Sequence, residues 1–178
     1  MMRLLEMMKK AKVYFATLVS ILFGGSCGDV SKHSAVLSDL SETTQIEYRF
    51  GDSSLPPDHH RSYTIVITEI KKSITIDSYG DTLLSRDYPN SSASFTAFKD
   101  ELSKKGIAKH GEVDNGGCSG GTTESIRLYN NKECFFDAYV YHCEGSSGTL
   151  YLPAGVSDMF LQQIPEDVDS LIQSTKIN

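Results

Sequence analysis

Residues 124–143 read "ESIRLYNNKECFFDAYVYHC". Two runs rich in β-branched and aromatic residues flank the pair Asn130-Asn131, and Asn tolerates the left-handed backbone a tight turn requires. The stretch is therefore expected to form an antiparallel hairpin. Asp137 interrupts an otherwise apolar second run. Strand alternation places it on one face with Phe135, Tyr139 and Tyr141 and leaves Phe136, Ala138 and Val140 for a core. Phe135, Asp137, Tyr139 and Tyr141 are then a candidate binding surface, because tyrosine offers both apolar area and a hydroxyl to a partner. Ile126 and Leu128 are expected on that same side. A C-terminal helix laid over this face is the competing arrangement.

Upstream of the hairpin, strands are expected at 45–50 ("QIEYRF"), 61–70, 73–79 and 82–88, with Gly80-Asp81 as the turn between the last two. A helix follows, capped by Ser94, with Phe95, Phe98 and Leu102 on one side and Gly106 stopping it. Downstream, "TLYL" (149–152) is a last short strand, followed by a helical turn around Met159–Leu161. Pro165 suits the first position of a C-terminal helix whose stripe is Val168, Leu171 and Ile172. The class is α+β: one domain, an antiparallel sheet of about six to seven strands, with a central and a C-terminal helix packed on it.

The cysteines constrain the hairpin further. Cys134 and Cys143 lie on one extended run, too far apart to bond to each other. A two-residue turn at Asn130-Asn131 sets Cys118 opposite Cys143 at the open end of the hairpin. A Cys118–Cys143 disulfide is expected, with Cys134 a buried free thiol.

Cys118 lies in "DNGGCSGGTTES", residues 114–125. Gly117-Cys118-Ser119-Gly120-Gly121 satisfies the G-x-S-x-G pattern of a hydrolase nucleophile. Such an elbow needs a hydrophobic strand before it and a helix after it. Here the preceding residues are polar and the following ones read as a strand. Part of the same stretch, "NGGCSGG", resembles the glycine-rich cysteine segment of papain-like proteases. That resemblance implies a structural disulfide loop, since the nucleophile motif of that family is absent.

At the other end of the chain, "MMRLLEMMKKAK" precedes the apolar run Val13 to Phe23 and then "GGSC". A basic segment, a short apolar segment and small residues describe a secretory leader. The apolar run rises only about 16 Å as a helix, too short for a bilayer core of roughly 30 Å. "FGGSC" resembles the lipobox of bacterial lipoproteins, with Gly24 where the family usually has Leu. The resemblance implies that Cys27 is lipidated and becomes the first mature residue. It also implies a bacterial cell-envelope location, with the membrane as a partner through the lipid on Cys27. The expected divisions are a signal peptide over 1–26, the lipidated Cys27 with a flexible tether over 27–43, and the folded domain over 44–178.

The formal charge is −6, and removal of the leader, with four basic residues and one acid, makes the remainder more negative. An acidic domain with no basic cluster argues against nucleic acid, which needs concentrated Lys and Arg. No zinc-type spacing, calcium loop, P-loop or dinucleotide fingerprint occurs, so no cofactor is expected. Asp58-His59-His60 is the best local cluster of metal-capable side chains. The residues point to a lipid-anchored envelope lipoprotein with a small non-enzymatic binding domain and an envelope protein as partner. The alternatives are an envelope hydrolase using Ser119 and a metal-binding lipoprotein using His59 and His60.

Overall fold

A computed structural model describes residues 35–114 and 120–176. Its strands are β1 (Ala35–Val36), β2 (Gln45–Gly51), β3 (Ser62–Thr68), β4 (Lys71–Ser78), β5 (Asp81–Pro89), β6 (Ala108–Val113), β7 (Thr122–Asn130), β8 (Glu133–His142) and β9 (Ser146–Tyr151). The helices are α1 (Ser92–Ser103), α2 (Val156–Leu161) and α3 (Val168–Ser174). These nine strands join one sheet in the order β1-β6-β9-β8-β7-β2-β3-β4-β5, and every pairing is antiparallel. Two meanders, β2 to β5 and β7 to β9, are stitched together by the long pair β2–β7.

Local chemistry accounts for the turns. Tyr79 (φ 52) and Gly80 (φ 94) link β4 to β5, both left-handed as the favoured two-residue hairpin turn requires. The turn therefore sits one residue earlier than the expected Gly80-Asp81. The β7–β8 turn sits one residue later than expected: Asn130 pairs with Glu133, and Asn131 (φ 55) takes the left-handed position. A register shift between Leu128 and Tyr129 then leaves Phe135 as the extra residue of a bulge.

Alternation builds the core on one face. Ile46 pairs with Ile67 and Leu128, Tyr48 with Ile65 and Ile126, and Ile126 with Ala138. These residues are buried together with Ile74, Ile76, Phe136, Val140 and Leu150. The helices roof this face. Phe95, Phe98 and Leu102 of α1 are buried as the helical stripe predicts, with Val156, Met159 and Phe160 of α2 and Val168 and Leu171 of α3. Phe160 stacks on Tyr48 at 4.7 Å and meets Phe98 edge-on at 5.3 Å. Burying one such aromatic is worth roughly 1.5–3 kcal/mol. Among the described residues no helix is long and apolar enough to cross a membrane.

The fold is an antiparallel sheet with short helices, and its sheet is wider than the expected six to seven strands. The two added strands are β1 and β6. "AKHGEV" of β6 carries two charges, a His and a Gly, and shows no alternation because most of it is exposed. The expected tether over 27–43 is corrected in its second half. Leu37 and Leu40 are 7% and 4% exposed and belong to the core, and the Leu37 amide donates to the Ile107 carbonyl at 2.8 Å. Two leucines suffice to pin a polar segment to the domain, so the fold begins by Ala35 rather than at residue 44. Both expected helix starts also move. Ser91, not Ser94, caps α1 by accepting from the Ser94 amide at 3.2 Å, and Asp167 caps α3 by accepting from the Ser170 amide at 2.9 Å.

Candidate binding face

The sheet face opposite the helices is left open by the described residues. Odd-numbered residues of β7 and β8 point to it, and the strands carry a polar band across it. Arg127 reaches Glu47 and Asp137, each at 3.2 Å. Arg49 donates to Thr64 at 2.9 Å and to both oxygens of Asp77, at 2.9 and 3.2 Å. Burial disfavours the Arg127 charge, but its two carboxylate partners outweigh it and hold the guanidinium more firmly protonated than usual. The charges of the band are thus matched from strand to strand, β7 with its neighbours β2 and β8, and β2 with β4 across β3.

Aromatic side chains occupy the β7–β9 half of this face. Phe135 is 50% exposed, Tyr139 39% and Tyr151 58%, with Tyr129 and Tyr141 half-buried beside them. The Tyr139 hydroxyl donates to Glu112 at 3.0 Å, and that carboxylate raises the phenol's pKa. Tyr139 is placed by its neighbour Gly148: a Cβ there would lie 2.4 Å from the Tyr139 carbonyl oxygen, and φ is +116°. Only glycine fits that approach.

The four residues singled out from the sequence lie together as alternation requires. Phe135 and Tyr139 are exposed, Asp137 is exposed and tied to Arg127, and the Tyr141 hydroxyl accepts from the Gly121 amide at 3.0 Å. Phe136, Ala138 and Val140 are in the core. The C-terminal helix covers the other face. Ile126 and Leu128 are a correction: both are fully buried on the helix side, because the bulge at Phe135 sets them opposite Ala138 and Phe136. Sequence reasoning missed Arg127, Glu47 and Tyr151. Arg127 sits at an alternation-compatible position, but its two partners come from neighbouring strands and carry no local signal.

The other candidates fare differently. Cys27, Cys118 and Ser119 lie outside the described residues. Cys143 is disulfide-bonded and Cys134 is free. Cys134 is exposed rather than buried, because the bulge turns it away from the core; its Sγ donates to the Phe136 carbonyl at 3.3 Å. Gly121 also lies against Cys143, and the expected partner Cys118 falls outside the described residues. His59 is exposed and His60 is 5% exposed. The Tyr79 amide donates to His60 Nδ1 at 3.3 Å, and Nε2 lies 3.3 Å from Ser62 Oγ. Both ring nitrogens are thereby engaged. Among the described residues no three His, Cys, Asp or Glu side chains are grouped to hold a metal ion.

A second polar group lies on the covered face, at the helix end of β7. Glu124 accepts from Tyr48 at 2.6 Å and from Ser157, and its other oxygen lies 3.1 Å from His142 Nε2. The carboxylate stands between serine and imidazole, which do not touch each other through any of these bonds. It joins β2, β7, β8 and α2 into one network. No family model, no curated protein and no solved structure matches this chain.

Proposed function

We propose that this protein is a lipid-anchored lipoprotein of the bacterial cell envelope whose folded domain is a non-enzymatic interaction module. It docks an envelope protein through the open face of its sheet. One observation carries the reading: Phe135, Tyr139 and Tyr151 keep 39–58% of their surface exposed on a face that none of the described helices covers. Exposed aromatics beside paired charges match the make-up of protein interfaces, where Tyr and Phe supply area and polar groups fix orientation. The anchor rests on the lipobox-like "FGGSC" and the lipid expected on Cys27. The Cys118–Cys143 disulfide belongs to the same reading, since an oxidising compartment favours it.

Photo-crosslinking in cells tests the docking face. A benzophenone amino acid at Phe135 or Tyr139 is expected to trap a discrete protein adduct, and the same probe at Leu83 on the far half of the sheet is not. Equal labelling at all three positions, or none at any, defeats the reading. The intact mass of the chain made from its own leader tests the anchor. A mass beginning at Cys27 with acyl chains supports it, and an uncleaved or unacylated chain overturns it.

A further inference from the structure

Val36, Ala108 and Tyr151 stand side by side across β1, β6 and β9. Ala108 is buried between two side chains that keep 57% and 58% of their surface exposed. The apolar area of the open face therefore runs on from Phe135 and Tyr139 to the outer strand of the sheet.

The charge beside this area is one-sided. Arg127 is the only Lys or Arg of β7, β8 and β9, and it is shared between Glu47 and Asp137. Lys109 of β6 pairs in register with Leu150, a core residue, and so turns toward the helix side. Lys132 stands beyond the strands, in the β7–β8 turn. Glu112 accepts the Tyr139 hydroxyl at 3.0 Å, and among the described residues it takes part in no ion pair. Its hydrogen bond and its charge both raise the phenol's pKa, so the field of this carboxylate is felt at the ring. Three carboxylates thus face one guanidinium, on a chain whose formal charge is already −6.

This balance selects among partners. A phosphate-bearing surface, lipid or nucleic acid, is repelled, and so is an acidic protein. An uncharged apolar partner would desolvate Glu112 and leave it only a phenol for company, which costs free energy. A Lys or Arg side chain gains twice at the same spot. The carboxylate attracts it, and the negative face of the tyrosine ring attracts it as well. Its aliphatic stem can meanwhile lie along the apolar row.

We infer that the docked partner presents a basic segment, with a Lys or Arg side chain seated over the Tyr139 ring against Glu112 and apolar neighbours on Val36, Phe135 and Tyr151. This rests on the docking reading above and adds the partner's chemistry to it. The full chain carrying a benzophenone amino acid at Phe135 tests it in the cells that make it, with the trapped peptide read by mass spectrometry. That peptide is expected to hold a Lys or Arg within a few residues of the crosslink. Glu112→Lys should cut the adduct yield at least about tenfold, because like charges then meet. Tyr139→Leu keeps apolar area, loses the ring, and should cut it about two- to fivefold. Unfolding midpoints of the purified variants separate lost folding from lost docking, and Glu112→Gln, with a loss of about two- to fivefold expected, replaces Glu112→Lys should that variant fail to fold. Changing the trapped cation of the partner to Glu should abolish the adduct, and combining that change with Glu112→Lys should restore it. Equal yields in the parent and the Glu112 variant, a trapped peptide with no cation near the crosslink, or no restoration overturns the inference and leaves the docking reading standing. No discrete adduct at Phe135 overturns both.

Discussion

The Tyr48 phenol, 1% exposed, donates a 2.6 Å hydrogen bond to Glu124 on the helix-covered side of the sheet. Glu124 also accepts from Ser157 of α2 and faces His142 of β8 at 3.1 Å. Removing the acceptor strands more than one donor, and each buried donor left unpaired costs about 1–3 kcal/mol. Glu124→Ala is expected to lower the urea midpoint by the equivalent of about 2 kcal/mol or more. Tyr48→Phe removes one donor, leaves Glu124 two others, and should cost about 1 kcal/mol. Equal losses in the two variants would show that the network does not centre on Glu124.

Alkaline unfolding follows from the same tyrosines. Burial pushes the Tyr63 phenol up to about 12 and moves Tyr48 further in the same direction, with neighbouring Glu124 adding to both. A group whose pKa is raised by folding contributes stability that is complete below its unfolded value, about 10, and is lost as pH climbs through the folded value. Stability should therefore fall progressively above about pH 10. Phenolate absorbance at alkaline pH should rise in a late phase that coincides with loss of circular dichroism, and this late phase should shrink in Tyr63→Phe. A single early phase, complete before unfolding begins, would contradict the burial of these rings.

Arg49 and Asp77 predict the acid limb. Burial pushes the Asp77 carboxyl upward, but the Arg49 hydrogen bonds and the Gly80 amide at 2.9 Å outweigh it and hold the pKa below the ordinary value. With the folded pKa depressed, the contribution is present above the unfolded value of about 3.9 and disappears as pH falls through the folded one. Because the Arg49 side chain is 39% exposed, solvent screens the pair, and Asp77→Asn should cost about 1–2 kcal/mol at pH 7. Once the pH has fallen through the depressed folded value, the variant and the parent should converge. Parallel stability curves across that range would count against the ion pair.

Tyr79 fastens the loop that precedes β3. Its ring stacks on His60 with centres 3.9 Å apart, and its hydroxyl donates to the Leu55 carbonyl at 2.5 Å. The neighbouring Ser78 hydroxyl donates to the Pro57 carbonyl at 2.8 Å. Tyr79→Ala is expected to speed amide exchange and proteolysis over residues 53–60 at least about tenfold while exchange in β2 and β7 stays slow, since local openings need not involve the core. Tyr79→Phe keeps the stack and should fall between. Uniform acceleration across the sheet would mean the loop and the core open together.

Several parts of this architecture were legible in residue order. Strand alternation separates Phe136, Ala138 and Val140 from Phe135, Asp137 and Tyr139, because successive side chains of a strand must point to opposite faces. The spacing of Phe95, Phe98 and Leu102 marks a helical stripe for the same kind of local reason. Tyr79-Gly80 and Asn131 were approached to within one residue. Bulges broke the reading. One extra residue at Phe135 exposes Cys134 and sets Ile126 and Leu128 against the core, and nothing local announces it. Strand β6 hid because an outlying, mostly exposed strand has no alternation to show. Leu37 and Leu40 hid because two buried leucines in a polar run look like noise until a core is there to receive them.

The amino-acid sequence by itself determined the acidic balance, the hairpins and the core-facing side of most strands. These depend on neighbours within a few residues, where backbone geometry alone sets the outcome. Only the tertiary structure decided that β2 joins the two meanders, that β9 pairs with β6 as well as β8, and that α1, α2 and α3 gather on one face. The open aromatic face and the Glu124 network follow from those choices. Each is assembled from strands and turns distant in sequence, and their pairing is selected by packing and register over the whole sheet rather than by any short stretch of chain.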